Sequence, residues 1–149
     1  MRRAVFKMAT DKEIIDSLKL DWLPSDYYNA EDLNRVEQAT LVVRDRVIVF
    51  RGQIVPIDGT NTTRDETTIE FADSLNRIET NILRLKLTFP ETYLFNSSKT
   101  DWTYDSPFTF VDARRLEQDL YNMWYRIENN ISYIPYAGQL YAGELGVVY

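Results

Sequence analysis

The residues whose types could do chemistry are three carboxylates, each two places after an arginine: Arg35-Val36-Glu37, Arg77-Ile78-Glu79 and Arg115-Leu116-Glu117. A carboxylate pair can cleave a glycosidic bond, one acid protonating the leaving group while the other acts as base or nucleophile, and aromatic side chains can stack on the sugar. No other enzymatic route is open. The chain has no His and no Cys, so a Ser or Thr nucleophile lacks its usual base, and thiolate chemistry, disulfides and zinc-finger spacing are excluded. It has no Gly-rich phosphate loop, G-x-S-x-G, HExxH or EF-hand pattern, and its acidic stretches lack the loop spacing that calcium needs. The three Glu recur at equivalent places in one motif, which argues for a structural role. The expectation is a protein that is not an enzyme, with no catalytic residue, no cofactor and no metal.

The motif is repeated with its surroundings. The first copy runs Asp21-Trp22, then Tyr27-Tyr28-Asn29-Ala30-Glu31-Asp32-Leu33-Asn34-Arg35-Val36-Glu37-Gln38. The last runs Asp101-Trp102, then Phe108-Thr109-Phe110-Val111-Asp112-Ala113-Arg114-Arg115-Leu116-Glu117-Gln118, and Trp to Arg is 13 residues in both. A middle copy, Phe71-Ala72-Asp73-Ser74-Leu75-Asn76-Arg77-Ile78-Glu79, lacks the Asp-Trp pair. The arginines fall at 35, 77 and 115, spacings of 42 and 38 that fit a helical hairpin repeat.

Each motif opens an amphipathic helix. Apolar residues at steps of three and four follow Leu33, Val36, Thr40, Val43, Val47 and Phe50; then Phe71, Leu75, Ile78, Ile82, Leu85 and Phe89; then Ala113, Leu116, Leu120, Met123, Ile127 and Ile131. Glu31, Asp32, Asp73 and Asp112 sit where the helix dipole favours negative charge, and Glu31–Arg35 and Asp73–Arg77 have the i,i+4 spacing of ion pairs. Pro24 and Pro107 precede helices, where proline is tolerated. Leu41 to Phe50 is rich in Val and Ile, which favour strands, but the stripe continues through it and a helix is expected. The fold class is thus mainly α: helices at about 29–50, 68–89 and 110–131 packed as a bundle over 21–131, after an N-terminal segment 1–20 with a short helix at 11–20. Residues 57–63 and 92–100 are connections. Arg35, Glu37, Arg77, Glu79, Arg115 and Glu117 are expected to start and pack these helices, with the two Trp plugging the loops that lead in; burying a large aromatic contributes roughly 2–3 kcal/mol.

The segment 132–149 reads as an extended arm. It holds Pro135, three of the five Gly and a small repeat, Tyr136-Ala137-Gly138-Gln139-Leu140 then Tyr141-Ala142-Gly143-Glu144-Leu145. It either packs back on the bundle or docks on a neighbouring subunit, and docking is preferred. Tyr and Trp are enriched where protein surfaces meet, so the expected contact residues are Trp22, Tyr27, Tyr28, Trp102, Phe108, Tyr136, Tyr141 and Tyr149. A net charge of −6 disfavours nucleic acid. No apolar run of membrane-spanning length and no signal-peptide core is present, so the sequons at Asn61, Asn96 and Asn130 are read as chance.

Asp21-Trp22 followed by Asp26-Tyr27-Tyr28-Asn29-Ala30-Glu31-Asp32-Leu33-Asn34-Arg35-Val36-Glu37 resembles the opening of small tail and baseplate proteins from phages and prophages of Gram-positive bacteria. Asn76-Arg77-Ile78-Glu79 resembles a helix start of the same family, and residues 136–144 resemble its C-terminal ends. Arg114 stands where that pattern suggests Asn. The resemblance implies a virion structural subunit of a tail, baseplate or fibre-attachment region, made in the host cytoplasm, whose partners are other tail proteins and copies of itself. It brings no catalytic residues. A receptor-binding module that stacks exposed aromatics on cell-wall glycans is the alternative.

Overall fold

The computed structural model describes residues 10–52, 54–64, 72–90 and 95–133, with side chains as far as 129. Four helices follow one another: α1 (Asp11–Asp16), α2 (Ala30–Arg51), α3 (Ala72–Lys86) and α4 (Phe110–Tyr133), with no strand among the described residues. The mainly α class and helix-on-helix packing follow the sequence reading.

The helix ends have local causes. Thr10 and Glu13 form a reciprocal capping box at α1, and Asn29 and Asp32 form one at α2. At α4 the Asp112 carboxylate accepts from the Thr109 amide and hydroxyl. Gly52 ends α2 in the left-handed region, at φ 65°, and its amide closes onto the Ile48 carbonyl. After α3 the chain tightens, Thr88 and Phe89 donating to the carbonyls of Leu85 and Lys86, before Pro90 bars another helical turn. The Val- and Ile-rich half of α2 is helical. α2 as a whole packs on α1, α3 and α4, and the burial of Val42, Val43 and Val47 in this half outweighs its strand propensity.

The long helices run parallel, not as hairpins. Arg35 meets Glu117 and Arg46 meets Glu128, so α2 and α4 keep one register offset of 82 residues over three turns. Arg77 meets Glu37 near the start of α2 and α3, and Phe89 lies against Arg51 where both end. Arg115–Glu79 and Lys86–Asp119 align α3 with α4 in the same sense. The expected hairpin spacing therefore belongs to helix-plus-crossover units that return along the bundle.

The core lies between the three parallel helices. Val36, Val43 and Val47 of α2, Ile78, Ile82 and Leu85 of α3, and Leu116, Leu120, Met123 and Ile127 of α4 are buried, with Ile15 and Leu18 covering one side. Phe89 is buried beyond α3, whereas Phe50 and Leu75 are only partly so. α3 ends three residues before the expected 89, and α4 runs two residues beyond 131, into the segment assigned to the arm. Phe71, the α3 start expected at 68, residues 1–9, and the rest of the arm with Tyr136, Tyr141 and Tyr149 lie outside the described residues.

Candidate functional site

The three Arg-apolar-Glu motifs meet each other in a closed ring. Arg35 of α2 makes a two-pronged bond to Glu117 of α4, at 2.7 and 2.8 Å. Arg115 of α4 makes the same bond to Glu79 of α3, at 2.7 and 2.6 Å. Arg77 of α3 reaches Glu37 of α2 at 2.6 Å. Each arginine thus serves the carboxylate of a neighbouring helix, and the third contact returns to the first helix. Glu37, Glu79 and Glu117 are 1%, 1% and 0% exposed. They are interhelical anchors on no solvated face.

The loop before each helix completes the cluster. Glu117 accepts from the Lys19 amide at 2.8 Å and the Trp22 indole at 2.8 Å. Glu79 accepts from the Lys99 amide at 3.1 Å and the Trp102 indole at 3.0 Å. Glu37 accepts from the Asn61 amide at 3.3 Å and, where the others have an indole, from the Arg64 guanidinium. Trp22, Arg64 and Trp102 all stand 13 residues before their helix's arginine, so the middle copy keeps the position and changes the residue.

A second clamp fixes the backbone at that position. Asn34 bonds both the amide and the carbonyl of Arg64, and Asn76 bonds both those of Trp102. In the third unit Arg114 takes the Asn place and donates to the Trp22 carbonyl at 2.9 Å. The departure from the Asn pattern thus keeps the carbonyl half of the clamp and gives up the amide half, since a guanidinium cannot accept. Three units follow: 19–51, 61–86 and 99–133. Each leans its loop and its arginine on the unit before it, and the first leans on the third.

Burial pulls the Arg35 pKa down, but the Glu117 hydrogen bonds and charge, with Asp32, hold it above its ordinary value. Arg115 is held up in the same way by Glu79 and Asp112, against the same effect of burial. The arginines therefore stay charged, and each closes an i,i+3 pair on its own helix, Arg35–Asp32 at 3.0 Å and Arg115–Asp112 at 3.1 Å. Arg35 takes Asp32 and Glu117 in place of the expected Glu31.

The clusters differ in one respect. Both oxygens of Glu79 and of Glu117 carry two donors each. All three donors to Glu37 instead converge on Oε2, and Oε1 is buried with no partner. The Tyr28 hydroxyl is also buried without a partner, although the residue as a whole is half-buried. Burial, then the charges of Glu117 and Asp32, push its pKa well above the ordinary phenol value.

Of the expected contact residues, Trp22 and Trp102 are 2% and 3% exposed and bonded within the chain. They are internal pegs, which corrects their reading as surface anchors, because the indole N–H is taken up by a buried carboxylate. Tyr28 and Phe108 pack with tilted rings, centroids 4.8 Å apart, against Trp22 and Trp102. Tyr27 alone of the described candidates is open, at 89% exposure. Sequence reasoning missed Tyr104, 93% exposed at the tip of the 103–106 turn, and Lys19 and Lys99, which cover the faces of Trp22 and Trp102 at 5.2 and 5.0 Å. The shared spelling Lys-x-Asp-Trp was the available signal.

A glycosidase pair flanks an open substrate site, whereas Glu79 and Glu117 have their acceptor positions filled by internal donors. No group of three or more His, Cys, Asp or Glu among the described residues could hold a metal ion, and no helix among them is long and apolar enough to cross a membrane. Compared with protein-family models, curated proteins and solved structures, the chain matches none.

Proposed function

We propose that the chain is a structural subunit of the tail, baseplate or fibre-attachment region of a bacteriophage or phage-like particle, acting through protein–protein assembly with other tail proteins and with copies of itself. The observation that carries the assembly part is the disposition of its polar groups. The carboxylates best suited to chemistry are turned inward as ties between helices, while Leu23, Tyr27, Tyr104 and Val111 are left exposed at or near the loops where α2 and α4 begin. Large side chains left exposed around these loops suit a contact surface. The particle assignment rests on the tail-protein resemblance of residues 21–37 and 76–79. The test is mass spectrometry and immunogold labelling of purified particles from the source strain. The chain is expected at a fixed copy number and at one end of the tail; its absence from intact particles refutes the assignment.

The exposure of Tyr27 and Tyr104 also supports the alternative, a module that stacks aromatics on cell-wall glycan. Saturable binding of the isolated protein to purified cell walls, lost in Tyr27→Ala and Tyr104→Ala, would favour it.

A further inference from the structure

The ring of units has three seams, and they are not held alike. The first and second units are joined by the crossover after α2, and the second and third by the crossover after α3. The seam between third and first has no crossover: it is closed by Arg35, Lys19 and Trp22 on Glu117, by Arg114 on Trp22, and further along α2 and α4 by Arg46 on Glu128 and over Trp124, contacts spanning 78 to 98 residues. Its chemistry is nonetheless that of the seam between second and third. A Lys amide, a Trp indole and a two-pronged Arg meet one buried Glu in both. The two loops agree residue by residue in burial and backbone pattern over 21–30 and 101–110.

A closed seam with no covalent link is the one place where the ring can open without strain on a crossover. An opened chain carries the Lys19 amide, Trp22 and Arg35 on the face of its first unit, and Glu117 and Arg114, which complement them, on the face of its third. Neither stays open, because parting the units exposes the apolar core between α2 and α4, with Val36, Val43, Leu120 and Met123. The complement of each face is present on every other copy of the chain, and two different complementary faces on one molecule make a head-to-tail contact.

We infer that this seam is an exchange interface: the first unit of one copy seats on the third unit of a second copy, through the contacts the single chain makes with itself. This rests on the assembly reading and deepens it by naming the partner, a second copy of this chain, and the surface.

The test is complementation in full-length chains. Arg35→Met leaves Glu117 without its guanidinium; Glu117→Leu leaves Arg35 without its carboxylate. Each chain alone carries one mismatched closing seam. In an exchanged pair one seam is fully native, and the other sets the two apolar replacements against each other in place of the ion pair. Co-expression of two differently tagged variants is expected to give a species containing one of each, at twice the 17.6 kDa chain mass, melting higher than either variant alone. This readout stands even where a single variant does not fold. Wild-type chains with heavy and light isotopes, refolded together at high concentration, are expected to show mixed-mass dimers by native mass spectrometry. If co-expression yields no mixed species and wild-type chains never share a particle, the exchange inference is overturned. Finding the chain in purified particles while both of these fail would overturn exchange and leave the assembly reading standing.

Discussion

Glu37 and Glu79 occupy equivalent positions in two units, so the same substitution at both weighs one hydrogen-bond inventory against another. In Glu79→Gln either placement of the amide turns an NH2 towards two donors. These are the Trp102 indole and one Arg115 prong, or the Lys99 amide and the other prong. Two bonds are lost, one of them to a charged and largely buried guanidinium, and the cost is about 3–4 kcal/mol. In Glu37→Gln the amide nitrogen can take the unpartnered Oε1 site, while the remaining oxygen still accepts from Asn61, Arg64 and Arg77. No bond is lost, only the charge that faces Arg64 and Arg77; the charge loss is common to both substitutions, so the bonds kept put the cost about 2 kcal/mol below that of Glu79→Gln. A chain of this size shifts by about 2–4 °C per kcal/mol, so Glu79→Gln should melt about 4–8 °C below Glu37→Gln in paired calorimetric scans. Urea unfolding with unchanged m-values should give the same order. Equal losses, or a larger loss at Glu37, refute the claim that acceptor occupancy sets what these carboxylates contribute.

Other outcomes follow from single features. Tyr28→Phe removes a buried hydroxyl with no partner and should be neutral or slightly stabilising at pH 7. The raised Tyr28 pKa means the folded state keeps its phenol proton after the unfolded chain begins to lose it, so stability is intact below about pH 10 and falls above it; alkaline unfolding curves should be flatter in the Phe variant. Gly52→Ala places a Cβ on a left-handed residue and should cost about 1 kcal/mol by urea unfolding, although no atom lies within 4 Å of that Cβ. Tyr27→Ala and Tyr104→Ala should leave the melting temperature nearly unchanged and lower incorporation into particles; full incorporation of the double variant would remove the loop-end surface from the assembly reading.

The helices were legible because burial follows the apolar steps. Nearly every described stripe residue is in or against the core, and even Leu41 to Phe50 kept its period. The parallel register was not legible. Arginine spacing reports the length of a repeat but not the direction of its helices, and long crossovers look like hairpin loops in one dimension. The role of Glu37, Glu79 and Glu117 was half legible. Each lies one residue after a stripe position, four after Leu33, Leu75 and Ala113, and so on the apolar face. Charged residues ordinarily face solvent, so the position alone leaves such a carboxylate undecided, and only the approach of a neighbouring arginine turns it inward. The middle unit was obscured by Arg64, which does by charge what Trp22 and Trp102 do by an indole N–H. That Trp22 and Trp102 turn inward within the chain was hidden for a related reason: an amphipathic aromatic suits an interface between subunits and an interface between helices equally well.

The seam between the first and last units also sets when the fold can be finished. Trp22 and Arg35 emerge from the ribosome early, but the carboxylate they require is Glu117. Until α4 has been made, the inner face of α2 lacks its largest neighbour. Contacts across 82 to 98 residues make the closing step costly in chain entropy and slow relative to helix formation. Folding is therefore expected to appear as one late cooperative step, with helices formed early and a native core only once α4 has docked.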